Sequence, residues 1–249
     1  MTTHEAMDAR ARFLAAVERV PDQASGAQRL CAACVLALPI RRAAIAISVH
    51  GYGLEVLSAT DQVAEQVEWT QVTLGEGPGF DAVASGGPVS LVSLVQADGR
   101  WPMFVPEVAG TGIGAMYALP LQVGAINVGV LDLYCDPGEF LEGPDFAAAA
   151  AVSELLTSVL IAAGPGGRIP DSLGPWWNQP LGTREVHQAT GVLMEQLGID
   201  ARSAYVRLQA FAFGNRQSLR DVARDVVSRR LRFEPDSGET TTPDPTAQL

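Results

Sequence analysis

Residues 116–134 read Met116-Tyr-Ala-Leu-Pro-Leu-Gln-Val-Gly-Ala-Ile-Asn-Val-Gly-Val-Leu-Asp-Leu-Tyr134, two apolar runs separated only by Gly124 and Ala125. Two residues are too few for the helical crossover that parallel neighbours need, so the runs pair as an antiparallel hairpin. Upstream, residues 42–49 and 54–60 form a second pair of β-type runs, joined through His50-Gly-Tyr-Gly53. Helical patterns flank these strands. Phe13, Leu14, Val17 and Val20 cluster at helical spacing before Pro21, and Leu30, Cys34 and Leu38 share a stripe in a second segment from about Ser25. After Phe140 the Ala-rich run AAAAAVSELLTSVLIAA is a strong helix former, with Phe146, Ala150, Leu156 and Leu160 placed to lie on a sheet. The first 163 residues therefore read as α+β, with helices flanking a mostly antiparallel sheet.

Residues 164–181, GPGGRIPDSLGPWWNQPL, are dense in Gly and Pro, which sustain neither helix nor strand interiors, and mark a domain boundary. Trp176 and Trp177 within it are large rings expected to dock on one of the domains. Three helical patterns follow. The first carries Val186, Ala189 or Thr190, Leu193 and Leu197 on one face and stops at Gly198. The second repeats Ala201, Ala204, Tyr205, Leu208, Phe211 and Ala212 between an Asp200 cap and Gly214. The third has Leu219, Val222, Ala223 and Val226 behind a capping-box-like Ser218 and Asp221. Together they predict a small three-helix bundle over 182–233, and the polar, Pro-containing residues 234–249 read as a disordered tail.

Charge divides the chain in the same place. Residues 1–181 hold 8 Arg against 19 acidic residues, residues 182–233 hold 9 Arg against 5, and the tail holds 4 acids with no base. An acidic body joined to a basic module directs a polyanionic partner to the C-terminal helices, although a solvated helical surface has the same composition. With 47% hydrophobic residues and 18% charged ones the chain has ample material for buried cores, which excludes wholesale disorder. There is no uninterrupted apolar run of about 18 residues and no basic-then-apolar start, so a cytoplasmic location away from membranes is expected. Three cysteines are too few for a disulfide scaffold, in keeping with a reducing compartment.

The segment from Glu185 to Met194, followed by Gly198, Ala204-Tyr205, Leu208, Ala212, Asn215 and Asp221-Val-Ala223, resembles the ANTAR domain of bacterial antitermination regulators. The resemblance implies a helical module that grips paired RNA stem-loops in nascent transcripts and favours an antiterminated fold. Unstacked loop bases are the usual targets of sequence-reading RNA proteins, and small side chains let the backbone approach them. Gln188, Ala189 and Gly191 suit such an approach, with Thr190 and Asn215 beside them in the matched pattern. Arg184, Arg207, Arg216, Arg220 and Arg224 are the candidate phosphate contacts, Arg220 and Arg224 sharing a face at i, i+4. Two positions depart from the family: Thr190 stands where a Lys is usual, and Gln209 where an Arg is usual.

Residues 8–163 resemble a GAF domain, through Thr73-Leu-Gly-Glu-Gly-Pro-Gly-Phe-Asp-Ala82, Trp101-Pro102, Ala118-Leu-Pro-Leu121 and Val128-Gly-Val-Leu-Asp-Leu-Tyr134. Such domains bind small molecules, dimerise, or do both, so an unidentified ligand and a homodimer are expected. Phe80, Arg100, Trp101 and Tyr117 are the candidate pocket residues, because a ligand cavity wants aromatic walls and a few polar groups; plain core packing is their other reading. Gly79 stands where relatives often have Cys, which argues against a thiol-based sensor. Gly75, Gly77 and Gly79 lack the Lys-Ser or Lys-Thr of a phosphate loop and read as a turn.

Catalysis finds no support in the sequence. Cys31 and Cys34 form a C-x-x-C on a predicted helix without a partner pair, and are expected to be buried structural thiols. His4, His50 and His187 fall in separate elements, which suggests neither a metal cluster nor a triad. The expectation is a non-enzymatic regulator that needs no cofactor. Its alternatives are a dimeric ligand sensor that signals through protein contacts and a DNA-binding regulator.

Overall fold

The computed structural model of the chain describes residues 3–21, 24–49, 52–93, 99–163 and 184–234. Two helices open the chain, α1 (Thr3–Arg19) and α2 (Gly26–Ala37). Ser25 caps α2 in a full capping box: its side chain accepts from the Gln28 amide while the Gln28 side chain accepts from the Ser25 amide. The strands β1 (Arg42–Val49) and β2 (Gly53–Ala59) pair antiparallel, as do β4 (Ala115–Val123) and β5 (Ile126–Cys135). A short β3 (Val89–Leu91) completes a five-stranded antiparallel sheet of order β2-β1-β5-β4-β3.

Both faces of the central strands are buried, which explains their near-continuous apolar sequence. On β5, Leu131, Leu133 and Cys135 face a core shared with α1, α2 and α6 (Gly143–Ala163), whereas Val130, Asp132 and Tyr134 face the other side. Helix α6 is apolar along most of its length, and Ala149, Val152, Leu156 and Leu160 are packed into the first core. The opposite face carries three helices that the hydrophobic pattern does not announce: α3 (Gln62–Leu74), α4 (Pro78–Ser85) and α5 (Phe104–Val108). The glycines between α3 and α4 make the expected turn. Gly75 ends α3 in the left-handed conformation at φ 66°, and Gly77 precedes Pro78 at φ 142°.

Helices α7 (Arg184–Leu197), α8 (Ala201–Gly214) and α9 (Leu219–Val227) follow as a bundle with Ala189, Leu193, Leu208, Leu219 and Val222 fully buried. Gly198 terminates α7 at φ 66°, and Asp200 caps α8 by accepting from the Ser203 amide at 3.0 Å. Helix α8 ends at Gly214, as the sequence suggests, but Asn215 is the cap and Arg216 takes the left-handed turn at φ 52°. Ser218 Oγ accepts from the Asp221 amide to start α9. The boundary segment 164–181, with Trp176 and Trp177, and the tail beyond Glu234 lie outside the described residues.

Candidate nucleic-acid interface

On α7, Arg184, Gln188 and Gly191 recur at i, i+4 and i+7 and so share one face; all three are exposed. A Cβ built on Gly191 would meet nothing within 4 Å. Internal packing therefore does not require glycine at this position, where a helix interior loses about 0.5–1 kcal/mol relative to Ala. The neighbouring Ala189 and Thr190 are buried in the bundle, and Thr190 Oγ1 donates to Val186 O at 2.8 Å. Their side chains shape the helix from inside and offer no outward surface in this arrangement.

The arginines of α9 and of the turn before it gather elsewhere. Arg216, Arg220 and Arg224 border a cleft of about 860 Å³ between the bundle and α3. Arg216 is exposed, and Arg224 is paired with Asp221 at 3.1 Å on its own helix. Arg220 forms an ion pair with Glu65 of α3 and lies over the Trp69 ring, 5.9 Å from its centroid. Arg207 is half-buried, and Asn215 Nδ2 donates to Phe211 O at 2.8 Å. The ten candidate residues thus divide: Arg184, Gln188 and Gly191 share the α7 face, Arg216, Arg220 and Arg224 border the cleft, Arg207 and Asn215 lie on α8 and at its C-cap outside the cleft lining, and Ala189 and Thr190 are internal.

The sequence gives no hint of how firmly the bundle is seated on the N-terminal unit. Leu54, Val56, Trp69 and Val72 are continuous with the bundle core of Tyr205, Leu208 and Leu219. Tyr52 sits edge-on to both His187 and Tyr205, with ring centroids 5.2 and 5.3 Å apart. His187 Nε2 contacts Glu55 Oε1 at 2.6 Å; this hydrogen bond, foremost, raises the imidazole pKa above its ordinary value against the effect of partial burial. Gln209, the position at which the ANTAR pattern has Arg, donates through Nε2 to Val72 O at 2.8 Å. The Leu219 amide, at the start of α9, donates to Thr73 Oγ1 at 3.0 Å.

Helix α3 links this seam to the interior of the sheet. Its Glu65, Trp69, Val72 and Thr73 meet the bundle, whereas Glu68 and Gln71 turn inward to Asp132 and Tyr134. Tyr134 Oη donates to Glu68, and Gln71 Nε2 donates to Asp132 Oδ2 at 3.1 Å. Gln71 Oε1 accepts from the Gly79 amide at 2.8 Å. Burial, foremost, and the neighbouring Glu68 charge push the Asp132 carboxyl well above the usual range, so the pair gives up its proton at higher pH than the unfolded chain does. A Cβ at Gly79 would lie 3.0 Å from Asp132 Oδ2 and 3.1 Å from Gln71 Oε1, so the network fills the space that a side chain there would take.

The four candidate pocket residues do not converge. Trp101 is buried at φ 53°, its Nε1 donating to Asp81 Oδ2 at 3.0 Å, and Arg100 stacks on its ring at 4.3 Å. Phe80 packs on the same side of the sheet, near Gly53. Tyr117 lies on the opposite side, against Phe146, with its hydroxyl accepting from the Leu141 amide at 2.9 Å. Strand alternation separates it from the others, so Tyr117 does not share a pocket with them, contrary to the expectation from sequence. The larger cleft and a second one of about 510 Å³ both border α3, and none of the four lines either. Cys31 and Cys34 are buried, free thiols; desolvation pushes Cys31 up to about 12 and Cys34 well above its ordinary value.

Residues 182–227 match the ANTAR domain family. The three C-terminal helices α7 to α9 therefore carry an ANTAR domain. Over the N-terminal unit it is similar to the GAF domain of a phosphoenolpyruvate-protein phosphotransferase from Coxiella burnetii, at 15% identity and TM-score 0.48, covering 66% of this chain and 96% of that one. The GAF domain of the Acinetobacter phosphoenolpyruvate-protein phosphotransferase gives 12% identity and TM-score 0.48, covering 68% and 100%. An N-acylhomoserine lactone-dependent LuxR-family transcription factor from Burkholderia cenocepacia gives 19% identity and TM-score 0.47, covering 63% and 96%. No curated protein matches the chain.

Proposed function

We propose that the chain is a signal-responsive transcription antitermination regulator, whose ANTAR domain binds paired stem-loops in nascent RNA and whose N-terminal GAF-type unit sets when it does so. The observation that carries the reading is the exposed α7 face within the ANTAR match, where Gln188 offers both donor and acceptor and Gly191 leaves room for a closely approaching base. Arg184 on that face and the Arg216–Arg224 group supply cations for the RNA backbone. We read the regulator as a cytoplasmic, non-enzymatic homodimer: two bundles engaging two hairpins together gain avidity through effective concentration. A small molecule held by the N-terminal unit is the proposed signal.

Titration of the full chain with a two-hairpin RNA and with duplex DNA of equal charge, at one fixed salt concentration, tests the reading. Saturable, salt-sensitive binding that prefers the RNA is expected. Gln188→Ala, a change at an exposed position that leaves the bundle core intact, is expected to weaken RNA binding about tenfold. Equal affinity for the two nucleic acids, or an unaffected Gln188→Ala variant, contradicts it.

A further inference from the structure

The residues that seat the bundle include one that the RNA reading needs elsewhere. Arg220 is held by Glu65 and Trp69, although with Arg216 and Arg224 it belongs to the arginine group assigned to phosphates. A guanidinium meets carboxylate and phosphate oxygens through the same N–H fork, so one arginine cannot serve both at once. His187, held by Glu55, immediately precedes Gln188 on α7. The seam is also bordered by open space. Clefts of about 510 and 860 Å³ share Glu65, Trp69 and Arg220 in their walls, and the larger adds Arg216 and Arg224. Net charge has opposite sign on the two sides, acidic over residues 1–181 and basic over 182–233.

We infer that RNA and the N-terminal unit compete for the ANTAR bundle: the acidic surface of β2 and α3, with Glu55 and Glu65, stands in for the RNA backbone, and RNA engages Arg220 only when that seam parts. The inference rests on the RNA-binding reading above and adds its switch. The seated bundle is the restrained form. Its affinity for RNA is lowered by the fraction of molecules in which Arg220 remains on Glu65, so weakening the seam strengthens RNA binding even though the bundle itself is unchanged. A signal that shifts α3 acts on the seam directly, because the same helix carries Glu68 and Gln71 into the interior of the sheet.

The test uses the full chain and one RNA enriched on it from a library of two-hairpin transcripts with randomised loops. Affinity is measured for wild type, Glu65→Gln and, as a charge control, Glu142→Gln, an exposed acid at the start of α6 and away from the seam. Hydrogen exchange of the Leu219 amide is followed with and without saturating RNA. That amide opens α9 and has no partner within the helix, so its protection depends on Thr73 across the seam. Glu65→Gln is expected to bind about threefold tighter than Glu142→Gln, and RNA is expected to release the Leu219 protection. Equal affinities for the two variants, with RNA bound and Leu219 protection kept, overturn the competition and leave the RNA reading standing. Absence of RNA binding by all three proteins overturns both.

Discussion

Replacing Asp132 with Asn isolates the proton held inside the sheet. In the wild type, the buried Asp132 and Glu68 carboxyls keep a proton that the unfolded chain releases in the ordinary carboxylate range. The folded state therefore binds more protons than the unfolded one, and stability falls as pH rises from about 4 toward the raised folded value. The slope for one retained proton is about 1.4 kcal/mol per pH unit. Asparagine has the shape of the neutral acid and keeps an oxygen to accept from Gln71 Nε2, now 3.1 Å from Asp132 Oδ2, while removing the charge that deprotonation would create. The variant should match the wild type near pH 4, lead it by about 1.4 kcal/mol at pH 5, and gain further until the raised folded value is reached, flattening the profile. Urea unfolding of both proteins at pH 5, 6, 7 and 8 measures this directly. A wild-type stability that stays level or rises over that range, or parallel profiles for the two proteins, would refute the protonated pair.

Three further outcomes follow from single contacts. The His187 ring, titrated by NMR, should have a pKa above the ordinary histidine value, and Glu55→Gln should bring it down. Because the seated pKa is the raised one, this contact stabilises the seam fully below the ordinary value and is lost as pH rises through the raised one. Gly129→Ala should abolish folded expression, since its Cβ would fall 2.1 Å from Ala46 O and 2.9 Å from the Ile47 Cα, backbone atoms that cannot yield within the sheet. Gly124→Ala, with open space at φ 57°, should instead cost only about 1 kcal/mol in thermal or chemical unfolding.

What the sequence disclosed depended on how many faces each element buries. Helices α7 to α9 have one buried stripe apiece, and their caps at Asp200 and Ser218 lie where the pattern predicts them. The β4–β5 hairpin was equally readable from its two-residue connection. Helix α3 escaped because it is buried on two sides and sends Glu68 and Gln71 inward, which erases any single apolar stripe. The sequence does not separate Tyr117 from Phe80, Arg100 and Trp101, because a strand apolar on both faces does not reveal which parity points to which layer. The α7 face of the candidate site came from the ANTAR pattern. The seam did not, because charged pairs such as Arg220 with Glu65 join segments distant in sequence and leave no periodic trace.

Antitermination itself is tested most directly by single-round transcription in vitro on a template whose leader RNA folds either into two consecutive hairpins or into a terminator. Added full-length protein should raise the fraction of transcripts that pass the terminator, saturably and in proportion to RNA occupancy, and Gln188→Ala should lose that gain. Unchanged read-through at concentrations that saturate the leader RNA, or equal read-through with the Gln188→Ala protein, would contradict the function proposed for this chain.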